Sequence, residues 1–223
     1  MDGLPNALER HAMSAILDHA QQWKMSDLQH HLDDIPIDRI RLFPWPGTAA
    51  IDDVIEAGKP TCELVDGPLV DKPAGFRESW IASRLSTWIL NYLDEHPEGI
   101  VAGEGGTVQL LPNQVRAPDA AYYSRDRLPG GRIPEDPVPS IYPDLAIEVL
   151  SKGNTTREMS RKRNEYFQAG VQLVWEIDPR SKTVIVYRSS DDSMTLSESD
   201  TLTGDPVFPG FFVPVQDLFN AQA

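Results

Sequence analysis

The sequence predicts an α/β fold in which helices flank a mixed β-sheet, and three stretches carry that expectation. Residues 144–177 read as strand, helix and strand, a crossover long enough to bring two strands parallel. Two hairpin-like runs, 62–71 and 100–123, would extend the sheet with antiparallel strands. Between them, residues 77–96 carry Ile81, Leu85, Trp88, Ile89, Tyr92 and Leu93 at helical spacing. Strands and helices interleaved in this order indicate an α/β sandwich on a mixed sheet (α+β in its local pairing).

The elements follow in order. Leu4, Leu8, Ile16 and Leu17 suggest a short amphipathic helix and residues 27–32 a second, before the connector Phe43-Pro-Trp-Pro-Gly47. Residues 1–47 are therefore read as a helical extension and 48–223 as the main domain. Thr48 is expected to cap a helix running to Glu56, with Gly58 and Pro60 marking its stop. Asp66-Gly67 favours the tight turn of the first hairpin, whose first strand holds Glu63. The long helix opens with Glu78 in its first turn, where the dipole favours a carboxylate, and ends at Pro97 and Gly99. Pro112-Asn113 turns the second hairpin and sets Asp119 on its returning strand. A Pro- and Gly-rich loop over 125–142 leads to the strand 144–150. Thr155-Thr-Arg-Glu158 forms a capping box, and Ala169-Gly170 closes the helix it opens. Strands 171–177 and 182–187 flank the turn Asp178-Pro-Arg-Ser181, and the chain ends in segments 207–212 and 215–219.

Composition narrows the function. The formal charge is −14, from 20 cations against 34 anions, so a polyanionic partner must be met by a local cluster. Arg157, Arg161 and Arg163, with Lys152 just upstream, supply one, although Glu158 and Glu165 would equally make it a solvated helix face. No apolar run approaches the roughly 18–20 residues of a membrane span and the N-terminus lacks a secretion signal, so a cytoplasmic protein without membrane contact is expected. The one cysteine, Cys62, argues against an internal disulfide and a Cys-rich zinc site, and the five histidines lack i, i+4 ligand pairs.

Two acids stand out within this frame. In Pro143-Asp-Leu-Ala-Ile-Glu-Val-Leu150, a period of two puts Leu145, Ile147 and Val149 on one face and Ala146, Glu148 and Leu150 on the other. Both faces are apolar except at Glu148, which therefore needs a cation, either a structural Arg or Lys or a metal. Asp119 poses the same question in Val115-Arg-Ala-Pro-Asp-Ala-Ala-Tyr-Tyr123, where Pro118 removes a ladder donor. Two carboxylates on adjacent strands suit Mg²⁺, which prefers oxygen ligands, and a nearby lysine would orient or help deprotonate the attacking water and offset charge during phosphodiester hydrolysis.

Pro118-Asp119, then Glu148-Val-Leu150-Ser151, then Lys162 with Tyr166, Gly170-Val171 and Trp175-Glu-Ile-Asp-Pro179 resemble the Uma-two family of endonucleases. That family is a branch of the PD-(D/E)xK superfamily with the restriction-endonuclease-like fold. Glu63-Leu-Val-Asp-Gly67 and Gly75-Phe-Arg-Glu78-Ser79 extend the resemblance, which covers residues 48 to 215. It implies a Mg²⁺-dependent nuclease, with Mn²⁺ as an alternative ion and DNA, or else RNA, as substrate. Asp119 and Glu148 would hold metal, Glu78 and Glu63 would lie near the site, and two copies would pair to cut both strands. The superfamily motif places lysine two residues after its acid, where this chain has Leu150. The resemblance moves that lysine to Lys162 on the following helix. Lys152 is the geometric rival, on the face of Glu148 if the strand continued that far, but Gly153 and Asn154 favour a strand that has ended. An i, i+4 surface pair with Glu158 is the structural alternative for Lys162. A binding or regulatory module that keeps the fold without catalysis is the alternative for the whole chain. If Glu148 is a buried charge awaiting its cation, its removal should leave stability unchanged or raise it.

Overall fold

The computed structural model describes residues 25–73 and 75–220. The helix expected from Leu4 to Leu17 lies outside them. The described strands are β1 (Cys62–Val65), β2 (Leu69–Asp71), β3 (Gly99–Gly103), β4 (Val108–Leu111), β5 (Gln114–Arg116), β6 (Ala120–Ser124), β7 (Leu145–Val149), β8 (Leu173–Asp178), β9 (Thr183–Tyr187), β10 (Ser193–Leu196), β11 (Thr201–Gly204) and β12 (Phe208–Pro214). The described α-helices are α1 (Met25–His31), α2 (Ile51–Glu56), α3 (Phe76–Glu95), α4 (Thr156–Ala169) and α5 (Val215–Phe219). A mixed sheet of order β10-β9-β8-β7-β6-β3 forms the centre, a second sheet of order β2-β1-β5-β4 lies beside it, and β11 pairs with β12. No described helix is long and apolar enough to cross a membrane.

Alternation along β7 decides which helix covers which face. Leu145, Ile147 and Val149 pack with Ile81, Leu85 and Ile89 of α3 and with Trp175, while Ala146 packs on the other face with Tyr166 of α4 and Val174. Glu148, two residues from Ala146, therefore turns toward α4. The β7–α4–β8 unit makes the expected parallel pair, with Ile147 opposite Trp175 and Glu148 opposite Glu176. Helix α4 starts as its sequence dictates: Thr155 Oγ accepts from Glu158 N, and the Glu158 carboxylate accepts from Thr155 N. It stops at Gly170 with φ 102°, where an added Cβ would fall 2.9 Å from the Tyr142 ring.

The first hairpin forms as predicted, with Asp66 and Gly67 both at positive φ. The second does not stay in one sheet. Its first half splits into β3 and β4 and its return into β5 and β6; β4 pairs with β5 in the smaller sheet, and β3 with β6 in the central one. Pro118, which cannot donate to a ladder, marks the crossing, so Asp119 sits at the junction of two sheets just before β6. Thr48 is not a helix cap: its hydroxyl closes a turn on Trp45 O, and Asp53 reaches back to Ala50 N at the start of α2. Strands β10 and β11 have no counterpart among the expected elements.

Segment 25–47 packs on the first hairpin and forms an apolar cluster of its own with it. Leu28, Leu32, Ile35 and Ile40 bury against Val65 and Val70 of the first hairpin. Arg39 donates to Asp71 O and Gly153 O and forms a two-pronged pair with Glu158, at 2.9 and 2.7 Å.

Candidate active site

The site forms where β6 has ended beside the C-terminal end of β7. Continuing the β6–β7 ladder past Ala120 and Ile147 would ask residue 118 to serve Val149, and the Asp119 carboxylate does so instead: Oδ2 accepts from Val149 N at 2.6 Å. Glu148, 4% exposed, points into the layer between β7 and α4. There its Oε1 lies 2.8 Å from Lys162 Nζ and accepts from the Tyr166 hydroxyl at 2.6 Å. Lys162 and Tyr166 are four apart on α4, so one helical face delivers both to one carboxylate.

Lys162 bridges two acids, since its Nζ is also 3.0 Å from Glu63 Oε1. The β1–β5 register, Leu64 opposite Val115, sets Glu63 beside Arg116. Arg116 joins Glu63 at 2.9 Å to Glu165 at 2.6 Å, and Ala117 N donates to Glu63 at 3.1 Å. Glu158 is occupied by Arg39, so Lys162 is buried in the site and is not the outer half of a surface pair.

These contacts set the charges. Burial works against ionising Glu63, but Lys162 and Arg116 outweigh it and hold the carboxyl well below its ordinary range. Burial also works against Lys162, but Glu148 and Glu63 keep it protonated well above the usual lysine range. Between these two carboxylates Lys162 stands as a charged donor. Glu148 moves the other way: burial raises its carboxyl, Lys162 opposes that, and Asp119 repels a second negative charge. The Glu63 shift has a measurable sign. A carboxyl depressed from 4.5 contributes stability above about pH 4.5 that is lost as pH falls further. Denaturation of wild type and Glu63→Gln across the acid range should show a deficit in the variant at neutral pH that narrows below pH 4.5. A deficit independent of pH would remove the ion-pair explanation.

A second lysine completes the site. Lys72 Nζ lies 2.7 Å from Asp119 Oδ1, with a side chain only 5% exposed. Lys72, Glu63, Asp119, Glu148 and Lys162 enclose a cavity of about 10 Å³, roughly the room of one water. Asp119 also borders an open groove of about 320 Å³ lined by Ser79, Ser83, Ser86 and Thr87 of α3 and by Glu104. It is the point at which the closed charge cluster meets an accessible surface.

The structure thus brings Asp119, Glu148, Lys162 and Glu63 together. Glu78 stays at the start of α3, folded over Gly75, outside the residues lining the cavity. The cationic cluster is dispersed. Arg161 is spent on Glu165, Asp33, Asp66 and His31 O; Arg163 turns to Glu176, 2.7 Å away, and stacks on Tyr187. Arg157 makes an exposed pair with Asp34, and Lys152 is exposed on the loop before α4. Sequence reasoning missed Lys72, Arg116 and the Tyr166 hydroxyl. Arg116 was discoverable by the argument used for Glu148, a charge in an apolar strand; Lys72, at a hairpin's end before Pro73, left no such sign.

Among the described residues no group of three or more His, Cys, Asp and Glu forms a ready metal cage. The available donors are Asp119 and Glu148, an all-oxygen pair that suits Mg²⁺ or Mn²⁺ retaining several waters. Both Glu148 contacts fall on Oε1, which leaves Oε2 to face a cation, and the mutual repulsion with Asp119 is what a cation would relieve.

A family model, Uma2, described as "Putative restriction endonuclease", matches residues 49–216. Among solved structures, the chain is similar to one described as a "putative nuclease belonging to DUF820" from Anabaena variabilis, with a TM-score of 0.64 and 22% identity, over 72% of this chain and 90% of that one. At that identity the likeness speaks for the fold alone. Comparison with curated proteins finds no match.

Proposed function

The chain belongs to the Uma2 family and has its restriction-endonuclease-like fold, and on that premise we propose that it is a divalent-metal-dependent endonuclease acting on DNA. The observation that carries this reading is the convergence of Asp119, Glu148, Glu63 and Lys162 at the end of β7, where the cluster meets an open groove. Asp119 and Glu148 would hold the ion, Mg²⁺ or Mn²⁺. When bound, such an ion supplies Lewis-acid stabilisation of the charge that develops on the phosphate oxygens. Lys162, held protonated between Glu63 and Glu148, orients the attacking water by donating to it and adds positive charge beside the reacting phosphate. Glu63 and Arg116 position Lys162, and the Tyr166 hydroxyl fixes the Glu148 carboxylate. Lys152 and Arg157 are the exposed cations nearest the start of α4 for contact with the nucleic-acid backbone, since Arg161 and Arg163 serve the chain's own acids. The described residues hold one such cluster, so cutting both strands in one encounter calls for a two-fold dimer.

A nicking assay tests the proposal. Purified protein should relax supercoiled plasmid with Mg²⁺ or Mn²⁺, and EDTA or Asp119→Asn should stop it. A folded wild type inert toward DNA, but cutting RNA under the same conditions, would change the substrate. One inert toward both, and binding neither ion, would favour the non-catalytic module. The internal balance of Glu63, Glu148 and Asp119 by Lys72, Lys162 and Arg116 is the feature that supports that second reading.

A further inference from the structure

Lys72 has an unusual position for a buried cation. Its backbone is pinned by Lys72 N donating to Thr61 O at 2.8 Å, and Pro73 holds the chain extended there. Its ammonium lies 2.7 Å from Asp119 Oδ1, yet Nζ has no aligned hydrogen-bond acceptor. Lys162, by contrast, is fixed between two carboxylates. A buried ammonium is ordinarily enclosed by acceptors, because each unused donor carries a desolvation cost. Lys72 has a single ion-pair partner among the described residues where Lys162 has two, and its charge also bears on Glu63 and Glu148. The groove that reaches Asp119 is lined by hydroxyl-bearing and apolar side chains and by Glu104, with no lysine or arginine, while Lys72 meets Asp119 from the closed cavity that it lines.

We propose that Lys72 is a displaceable counter-ion that occupies the charge position of the divalent ion on Asp119 and competes with it. The inference rests on the metal-binding reading of Asp119 and Glu148. In the absence of the ion, the ammonium keeps Asp119 from standing as an uncompensated charge beside Glu148. Binding of the ion would require Lys72 to leave Oδ1, and because Asp119 is its single ion-pair partner among the described residues that step breaks one contact. The cost of that displacement sets the affinity for the ion.

Titration calorimetry of the full chain with MnCl₂ alone, without nucleic acid, tests this. Lys72→Met should bind Mn²⁺ about tenfold more tightly than wild type, the effect of removing one competing charge a few ångströms away. Mn²⁺ should also raise its melting temperature more than it raises that of wild type. Lys72→Arg, which keeps the charge and can pair with Asp119 through two donors, should bind Mn²⁺ more weakly than wild type, and it serves if the methionine variant does not fold. Wild-type binding with equal or weaker affinity in Lys72→Met, or unchanged affinity in Lys72→Arg, would overturn the counter-ion role and leave the metal reading standing. Absence of Mn²⁺ binding in every protein would overturn the metal reading and this inference with it.

Discussion

Arg116→Met is expected to lower stability by about 3 kcal/mol, the lower end of what breaking a buried ion pair costs. Arg116 is 1% exposed and joins two neighbouring strands of the smaller sheet, its own β5 and β1, to α4 through Glu63 and Glu165. Methionine fills much of its volume, so the loss is chiefly electrostatic: two carboxylates lose a shared cation. Neither is wholly orphaned. Glu63 keeps Lys162 and Ala117 N, and Glu165 keeps Arg161 at 2.8 Å, which places the figure at the low end. The sign of the pH dependence follows. Glu63 is depressed below 4.5 partly by Arg116, so the deficit should shrink as acid neutralises the carboxylates left behind. Adding Glu63→Gln to the variant should recover part of the loss, because the contacting pair is not additive. Urea denaturation at pH 7 and near pH 4 measures both effects. A deficit below about 1 kcal/mol would mean that the network costs as much to desolvate as it returns.

The legibility of the sequence follows the same physics. The β7–α4–β8 unit was readable because its signals agree: period-two alternation, a capping box and a C-terminal Gly-170 each specify one conformation. Asp119 and Glu148 were readable because charges in apolar strand sequence are costly enough to stand out, whereas Lys162, on a polar helix, was reached only through the family resemblance. The division of the second hairpin between two sheets was not readable, since alternation fixes which face a residue takes but not which strand it meets. Arg39 was hidden by its place in a segment read as an appendage, and only tertiary packing brings it to Glu158. The spacing of Arg157, Arg161 and Arg163 gave a cationic helix face. What it could not give is that helix's neighbours, and those neighbours, Asp33, Asp66 and Glu176, are acids.

Glu148→Gln is expected to reduce metal-dependent cleavage by about 10²–10³-fold or more, the scale of losing one preorganised electrostatic contact at a reacting group, while leaving the fold intact. The choice of glutamine is decided by Tyr166. Its hydroxyl is fully buried and donates to Glu148 Oε1, and the amide oxygen of glutamine can accept that bond and the one from Lys162. Glutamine also removes the buried charge that Asp119 repels, so the melting temperature should stay near that of wild type or exceed it. Alanine would strand the tyrosine hydroxyl at a cost of about 1–3 kcal/mol. That reverses the expectation from sequence, in which any removal of Glu148 only relieves strain, and it makes Glu148→Ala a poor probe of chemistry. Nicking assays and thermal melts on the glutamine and alanine variants separate the two roles. Cleavage at the wild-type rate by Glu148→Gln would place the metal elsewhere. A glutamine variant as unstable as the alanine one would mean that Lys162 depends on the Glu148 charge, and the residue would then be structural before it is catalytic.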